Sequence, residues 1–132
     1  MNKENIKKWL DALASGEFQQ ASRCLNAGGN QRCCLGVACD VYMRETGNGH
    51  WIERKQIPPG ADRPVGESVF KDAAGYEDQA LPDTVKSWLG LTESNPVLDM
   101  TGFSFSTVAE ANDNGVSWDE IIQLLKEKCG ID

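Results

Sequence analysis

Cys33-Cys34-Leu35-Gly36-Val37-Ala38-Cys39-Asp40 is the stretch on which the rest of the chain turns. It packs three of the five cysteines into seven residues, in a chain with one histidine. A metal site, a thiol nucleophile and a plain helix core are the competing readings. Cys34, Val37, Ala38, Val41 and Tyr42 repeat with helical spacing, which favours a helix over about 33–45. Gly36 inside that helix costs roughly 1 kcal/mol relative to alanine. Close approach by another backbone or by a ligand is a reason to keep it.

Zinc fits poorly. Zinc signatures carry two Cys-x-x-Cys pairs, or one such pair with a His pair, and neither occurs. On a helix Cys34 and Cys39 project about 140° apart, so they do not converge on one ion. Small core residues are the plainer account, since free cysteine is among the most buried types. A nucleophile is the next candidate. Cys33 and Cys34 lie at a predicted helix N-terminus, where the dipole lowers a thiol pKa. His50 would be the base, with Asp40 or Glu53 to orient it. Nothing in the sequence brings His50 to either thiol.

Outward from this stretch, Ile6, Trp9, Leu10 and Leu13 form one apolar stripe, and Gly16 ends the first helix. Residues 17–32 read as a loop with a short element around Phe18, Ala21 and Leu25. Gly47-Asn48-Gly49 closes the second helix. His50-Trp51-Ile52 and 65–71 read as short strands that form a small ribbon, or else belong to a long loop broken by Ile57-Pro58-Pro59-Gly60. Leu81-Pro82-Asp83 opens a third helix with Val85, Trp88 and Leu89 on its buried side. Residues 97–100 read as a strand, Phe103-Ser104-Phe105 as a strand end or a lead into a short helix at 106–111, and Asn112-Asp113-Asn114-Gly115 as a turn. Ser117 and Glu120 make a capping box for the last helix, with Val116 and Ile121 as its hydrophobic staple. Ile121, Ile122, Leu125 and Cys129 form its stripe, and Gly130 ends it. The expected fold is mainly helical α+β: about four helices round one core, with a small β-ribbon or irregular insertion near residues 50–80, in a single domain spanning residues 1–132.

At 132 residues the chain can bury a core without staples. No apolar run reaches the roughly 20 residues of a membrane span, and the charges at Lys3, Glu4, Lys7, Lys8 and Asp11 leave no signal-peptide apolar region in the first fifteen residues. The odd cysteine count argues for free thiols in a reducing, cytoplasmic compartment. The net charge of −7 is unevenly spread. Residues 1–61 hold 8 basic and 6 acidic side chains, and residues 62–132 hold 5 and 14. Such a surface repels nucleic acid and anionic membranes, so neither is expected as a partner.

An anion site is the leading candidate. Arg23 and Arg32 flank the loop that feeds the second helix, whose N-terminus at Cys33 offers N–H donors. Arg54 follows with Lys55, and Trp51 stands ready to stack on a base. Asn112 and Asp113 are the alternative location. No phosphate-loop or dinucleotide-binding glycine pattern occurs. An EF-hand register that places Gly115 sixth puts Ile121 at the twelfth place, where a carboxylate is required. Glu77-Asp78 and Asp119-Glu120 are adjacent acids that read as surface charges; spacing alone neither supports nor excludes a glycosidase pair. No cofactor is called for.

Four motifs occur in order: Trp9-Leu10-Asp11-Ala12-Leu13 with Ser15-Gly16-Glu17-Phe18; Cys33 to Val37 with Cys39-Asp40; Leu81-Pro82 before Trp88-Leu89-Gly90-Leu91; and Asn112-Asp113 with Gly115 and Ser117 to Ile121. Together they resemble a family of small, uncharacterised phage and prophage proteins, over most of the chain outside residues 50–80. Glu110-Ala111 stands where that pattern has a leucine before the Asn-Asp pair. The resemblance implies context rather than activity: a non-enzymatic binding protein that sequesters a small anionic, nucleotide-derived immune signal. The alternatives are a module that docks on a host protein and a thiol enzyme using Cys33 or Cys34.

Overall fold

In the computed structural model, which describes residues 1–56, 67–73, 75–77, 79–99 and 106–132, the chain folds round the helix that contains the cysteine cluster. Five helices form: α1 (Lys3–Ala14), α2 (Cys34–Thr46), α3 (Asp83–Leu89), α4 (Val108–Asp113) and α5 (Trp118–Cys129). Six short strands accompany them: β1 (Gln19–Gln20), β2 (Asn26–Gly28), β3 (Gln31–Arg32), β4 (His50–Glu53), β5 (Ser68–Asp72) and β6 (Gly75–Glu77). The α+β class holds, and five helices among the described residues are consistent with the expected about four.

α2 starts one residue later than the spacing suggested, because Cys33 is its N-cap and accepts from the Gly36 N–H through its sulfur. Every residue from Cys34 to Cys39 is buried. Such all-round burial suits an element that neighbours cover on several sides. α1 and α3 pack along it and α4 meets it, while α5 closes the far side of α1. α1 turns Ile6, Trp9, Leu10 and Leu13 inward as its stripe predicts. α5 does the same with Ile121, Ile122, Leu125 and Cys129, and also buries Trp118. At the head of α5 half of the expected capping box is present: the Ser117 hydroxyl accepts the Glu120 N–H. In α3, Trp88, expected on the buried stripe with Val85 and Leu89, is only partly buried; its ring packs against the core and meets Tyr42 edge-on.

Residues 17–32, expected as a loop with a short element, instead supply three strands. The sheet runs β1-β3-β2-β5-β4, with β6 also on β5. β1 pairs with β3 in parallel, and the other pairs are antiparallel. The β2–β3 hairpin turns through Gly29-Asn30 and delivers the chain into α2. The expected ribbon is real: His50↔Lys71 to Glu53↔Ser68 is a regular antiparallel register. The expected strand near 97 reduces to a single bridge, Val97↔Thr107, and Met100 lies outside the described residues. The stretches 57–66 and 101–105, with the predicted Pro58-Pro59 break, the start of the second strand and Phe103-Ser104-Phe105, also lie outside them. The short helix predicted at 106–111 forms at Val108–Asp113, capped by the Thr107 hydroxyl.

Candidate functional site

The N-terminus of α2 is where three of the four sequence motifs meet, those of Trp9, Cys33-Cys34 and Asn112–Trp118, and the fold fills it from inside. Asn112 Oδ1 accepts the Cys34 N–H at 3.1 Å and the Trp118 indole N–H at 2.9 Å. Asn112 Nδ2 donates to the Ala21 carbonyl at 2.6 Å. Gln20 Nε2 donates to the carbonyls of Asn112 and Val116 at 3.3 and 2.9 Å. Trp9 Nε1 donates to the Cys34 carbonyl at 2.9 Å. Helix N-terminal donors usually look outward for a cap, water or an anion. Here Cys34 N–H goes to Asn112, Gly36 N–H to the Cys33 sulfur, and Val37 N–H to the Cys33 carbonyl. An anion would have to displace bonds already made.

Asn112 therefore sits in helix α4 and is buried, not in an exposed turn as its Asn-Asp-Asn-Gly surroundings suggested. Asp113 is exposed, and its Oδ1 takes the Arg23 N–H at 2.8 Å. That bond holds Arg23 at φ 70, in the left-handed region where the other positive-φ residues described are glycines. The Arg23 side chain is exposed.

Arg32 faces inward, in contrast to the solvent-facing role expected of it. It is buried in strand β3. Its Nε donates to Asp40 Oδ2 at 2.7 Å, and Nη1 donates to Asn26 Oδ1 and to the carbonyls of Gly29 and Gln31. The guanidinium lies 5.5 Å from the Phe18 ring centroid and 5.3 Å from that of Trp51. Trp51 Nε1 donates to Asp40 Oδ1 at 3.0 Å. Arg32 and Trp51 do come together, but as parts of a network that closes the β2–β3 turn against α2. A buried guanidinium persists only when paired and hydrogen-bonded in this way. Arg54 is exposed in a short 3-10 turn, and its N–H donates to the Glu67 carbonyl at 2.9 Å. The expected cradle of Arg23, Arg32, Trp51 and the helix N-terminus is therefore not assembled as a solvent-facing site.

The thiols are equally internal. All five cysteines are buried. Burial pushes the Cys33 thiol up to about 12, although the N–H groups of Gly36 and Leu35 pull the other way. Burial raises Cys34 and Cys39 well above the ordinary value too. His50, on strand β4, is exposed. Among the described residues, no group of three or more His, Cys, Asp or Glu side chains is placed to hold a metal ion. No helix among them is long and apolar enough to cross a membrane.

These shifts set an expected result. Native protein at pH 7.5 takes no iodoacetamide, while denatured protein labels at every cysteine; stoichiometric labelling of native Cys33 would contradict the geometry. Stability responds to alkali with a definite sign. Below the ordinary value of 9.0 the Cys33 proton is present in both states and has no effect. Between 9.0 and about 12 the unfolded chain loses it while the folded chain keeps it, so stability falls as pH rises. Cys33→Ser should flatten that slope by up to about 1.4 kcal/mol per pH unit, measured by denaturant melts from pH 8 to 10.

Sequence reasoning missed Gln20, Asn26 and the buried role of Asn112. Their partners lie on other elements, so spacing carried no signal for them. Asp40 was noticed only as a possible orienter for His50, and it serves Arg32 and Trp51 instead.

A protein-family profile described as a domain of unknown function (DUF8296) matches residues 1–129, and the chain belongs to that family. No curated protein and no solved structure matches it.

Proposed function

We propose that this member of the DUF8296 family is a non-enzymatic binding protein, encoded by a phage or prophage, that docks on a basic protein of the host cytoplasm through its acidic C-terminal face. The carrying observation is the surface around α4 and α5. Glu110, Asp113, Asp119, Glu120 and Glu127 are exposed there, and none of them takes part in an ion pair among the described residues. Between Lys86 and Lys126 the sequence holds no basic residue. Uncompensated charge of one sign steers association with the opposite sign and discourages wrong partners. The inward turn of Arg32 and the filled α2 N-terminus move weight away from a small anionic ligand. Buried thiols with raised pKa values move it away from thiol catalysis.

The test uses Asp119→Lys with Glu127→Lys. Both positions are exposed. The reversal at Asp119 opposes the helix dipole and is expected to cost about 0.3–1 kcal/mol. A basic host protein retained by the immobilised parent should elute with salt, because exposed charge pairs are screened beyond about 8–10 Å. It should be lost from the double variant and kept by Lys3→Glu. Retention that ignores both salt and the reversals would overturn the docking reading. A melting shift with cyclic dinucleotides or ADP-ribose would support the small-ligand reading in its place.

A further inference from the structure

The sequence contains two Asn-Gly pairs, Asn48-Gly49 and Asn114-Gly115. Both asparagines are exposed. Asparagine before glycine is the pair most open to intramolecular attack on the side-chain amide, because glycine has no Cβ to keep its nitrogen away. The fold treats the two pairs differently.

Asn114 is the C-cap of α4. Its Nδ2 donates to the Glu110 carbonyl at 2.8 Å. Its own N–H donates to the same carbonyl at 3.0 Å, and the Gly115 N–H donates to the Asn112 carbonyl at 3.2 Å. Both reacting groups, amide carbon and glycine nitrogen, are thus fixed by bonds that the reaction must break. Asn48 lies between the Gly47 cap of α2 and strand β4. Its N–H donates to Thr46 Oγ1 at 3.1 Å. Among the described residues, neither its side-chain amide nor the Gly49 N–H has a hydrogen-bond partner.

We propose that Asn48-Gly49 is a site of spontaneous covalent modification in the folded protein, and that the fold protects Asn114-Gly115. The Gly49 nitrogen loses its proton to water or hydroxide and bonds to Asn48 Cγ. The Cγ–Nδ2 bond breaks and ammonia leaves, closing a succinimide. Water then opens either imide carbonyl, giving aspartate or isoaspartate at position 48. Either product places a new carboxylate at the rim of the depression lined by Tyr42, His50, Lys71 and Thr84. Isoaspartate also adds one carbon to the main chain just before edge strand β4. There Gly49 has little room to adjust, because a Cβ on it would fall 2.6 Å from the Phe70 ring.

The experiment is incubation of the whole protein at mildly alkaline pH and 37 °C, native and in denaturant, followed by peptide mapping. Trypsin releases Glu45–Arg54, in which Asn48 is the one asparagine. Fragment ions place the mass change at Asn114 in the longer peptide. In denaturant the two sites should react at comparable rates. In the native protein Asn48 should run about tenfold ahead, the factor expected from the two further hydrogen bonds that hold Asn114-Gly115. Equal native rates, Asn114 reacting first, or a native Asn48 that stays intact while the denatured one reacts would each overturn the proposal.

Discussion

Gly36→Ala is expected to lower stability by about 3 kcal/mol or more, the upper end of what overpacking costs. The added Cβ would fall 1.9 Å from the Leu25 carbonyl oxygen and 2.7 Å from its carbon. Those are backbone atoms, and they are not free to move. The Leu25 carbonyl also accepts the Cys33 N–H at 3.3 Å, which ties the residue just before strand β2 to the entry of α2. The helix-propensity gain of roughly 1 kcal/mol from replacing glycine does not offset such a clash. Chemical melts of the variant measure the loss, and recovery from the soluble fraction reports it if the variant does not fold. A Gly36→Ala protein as stable as its parent would mean that the chain at Leu25 does not cross α2 at this residue.

Asn112→Ala is the second large effect, about 3–5 kcal/mol. It strands the Cys34 N–H, the Trp118 indole N–H and the Ala21 carbonyl, which all meet the one amide. A buried group left without its partner costs about 1–3 kcal/mol, and three such groups exceed what partial relaxation recovers. Denaturant melts at neutral pH measure it. A loss below about 1 kcal/mol would place Asn112 at the surface, where its sequence surroundings had suggested it.

Those two residues show what was legible in the sequence and what was not. Gly36 stood out because a glycine inside a helical pattern needs a reason, and close backbone approach proved to be the reason. α1 and α5 were readable from their stripes, and α5 also from its cap, since a 3.6-residue period over a dozen residues is a strong local signal. β1, β2, β3 and β6 are two or three residues long, too short for any alternation to appear. Asn112 misled because asparagine beside Asp113-Asn114-Gly115 has every mark of a turn. Its real partners lie 78 and 91 residues away in sequence, at Cys34 and Ala21. Arg32 misled for a related reason. A cation after a Gly-Gly turn looks solvated, and only the fold shows Asp40 and Asn26 waiting for it. Three of the four motifs do converge on the head of α2, but they build the interior there.

That convergence is the central claim, and amide hydrogen exchange at Cys34 tests it most directly. The first N–H groups of a helix ordinarily exchange by fraying, because nothing in the helix accepts them. If Asn112 holds this one from across the fold, the Cys34 amide should exchange only through global unfolding, at the free energy read from the core of α2. In Asn112→Ala it should become the fastest amide of the helix. Rapid exchange at Cys34 in the parent protein, at the rate of an exposed helix end, would contradict the account and reopen the α2 N-terminus as a binding site.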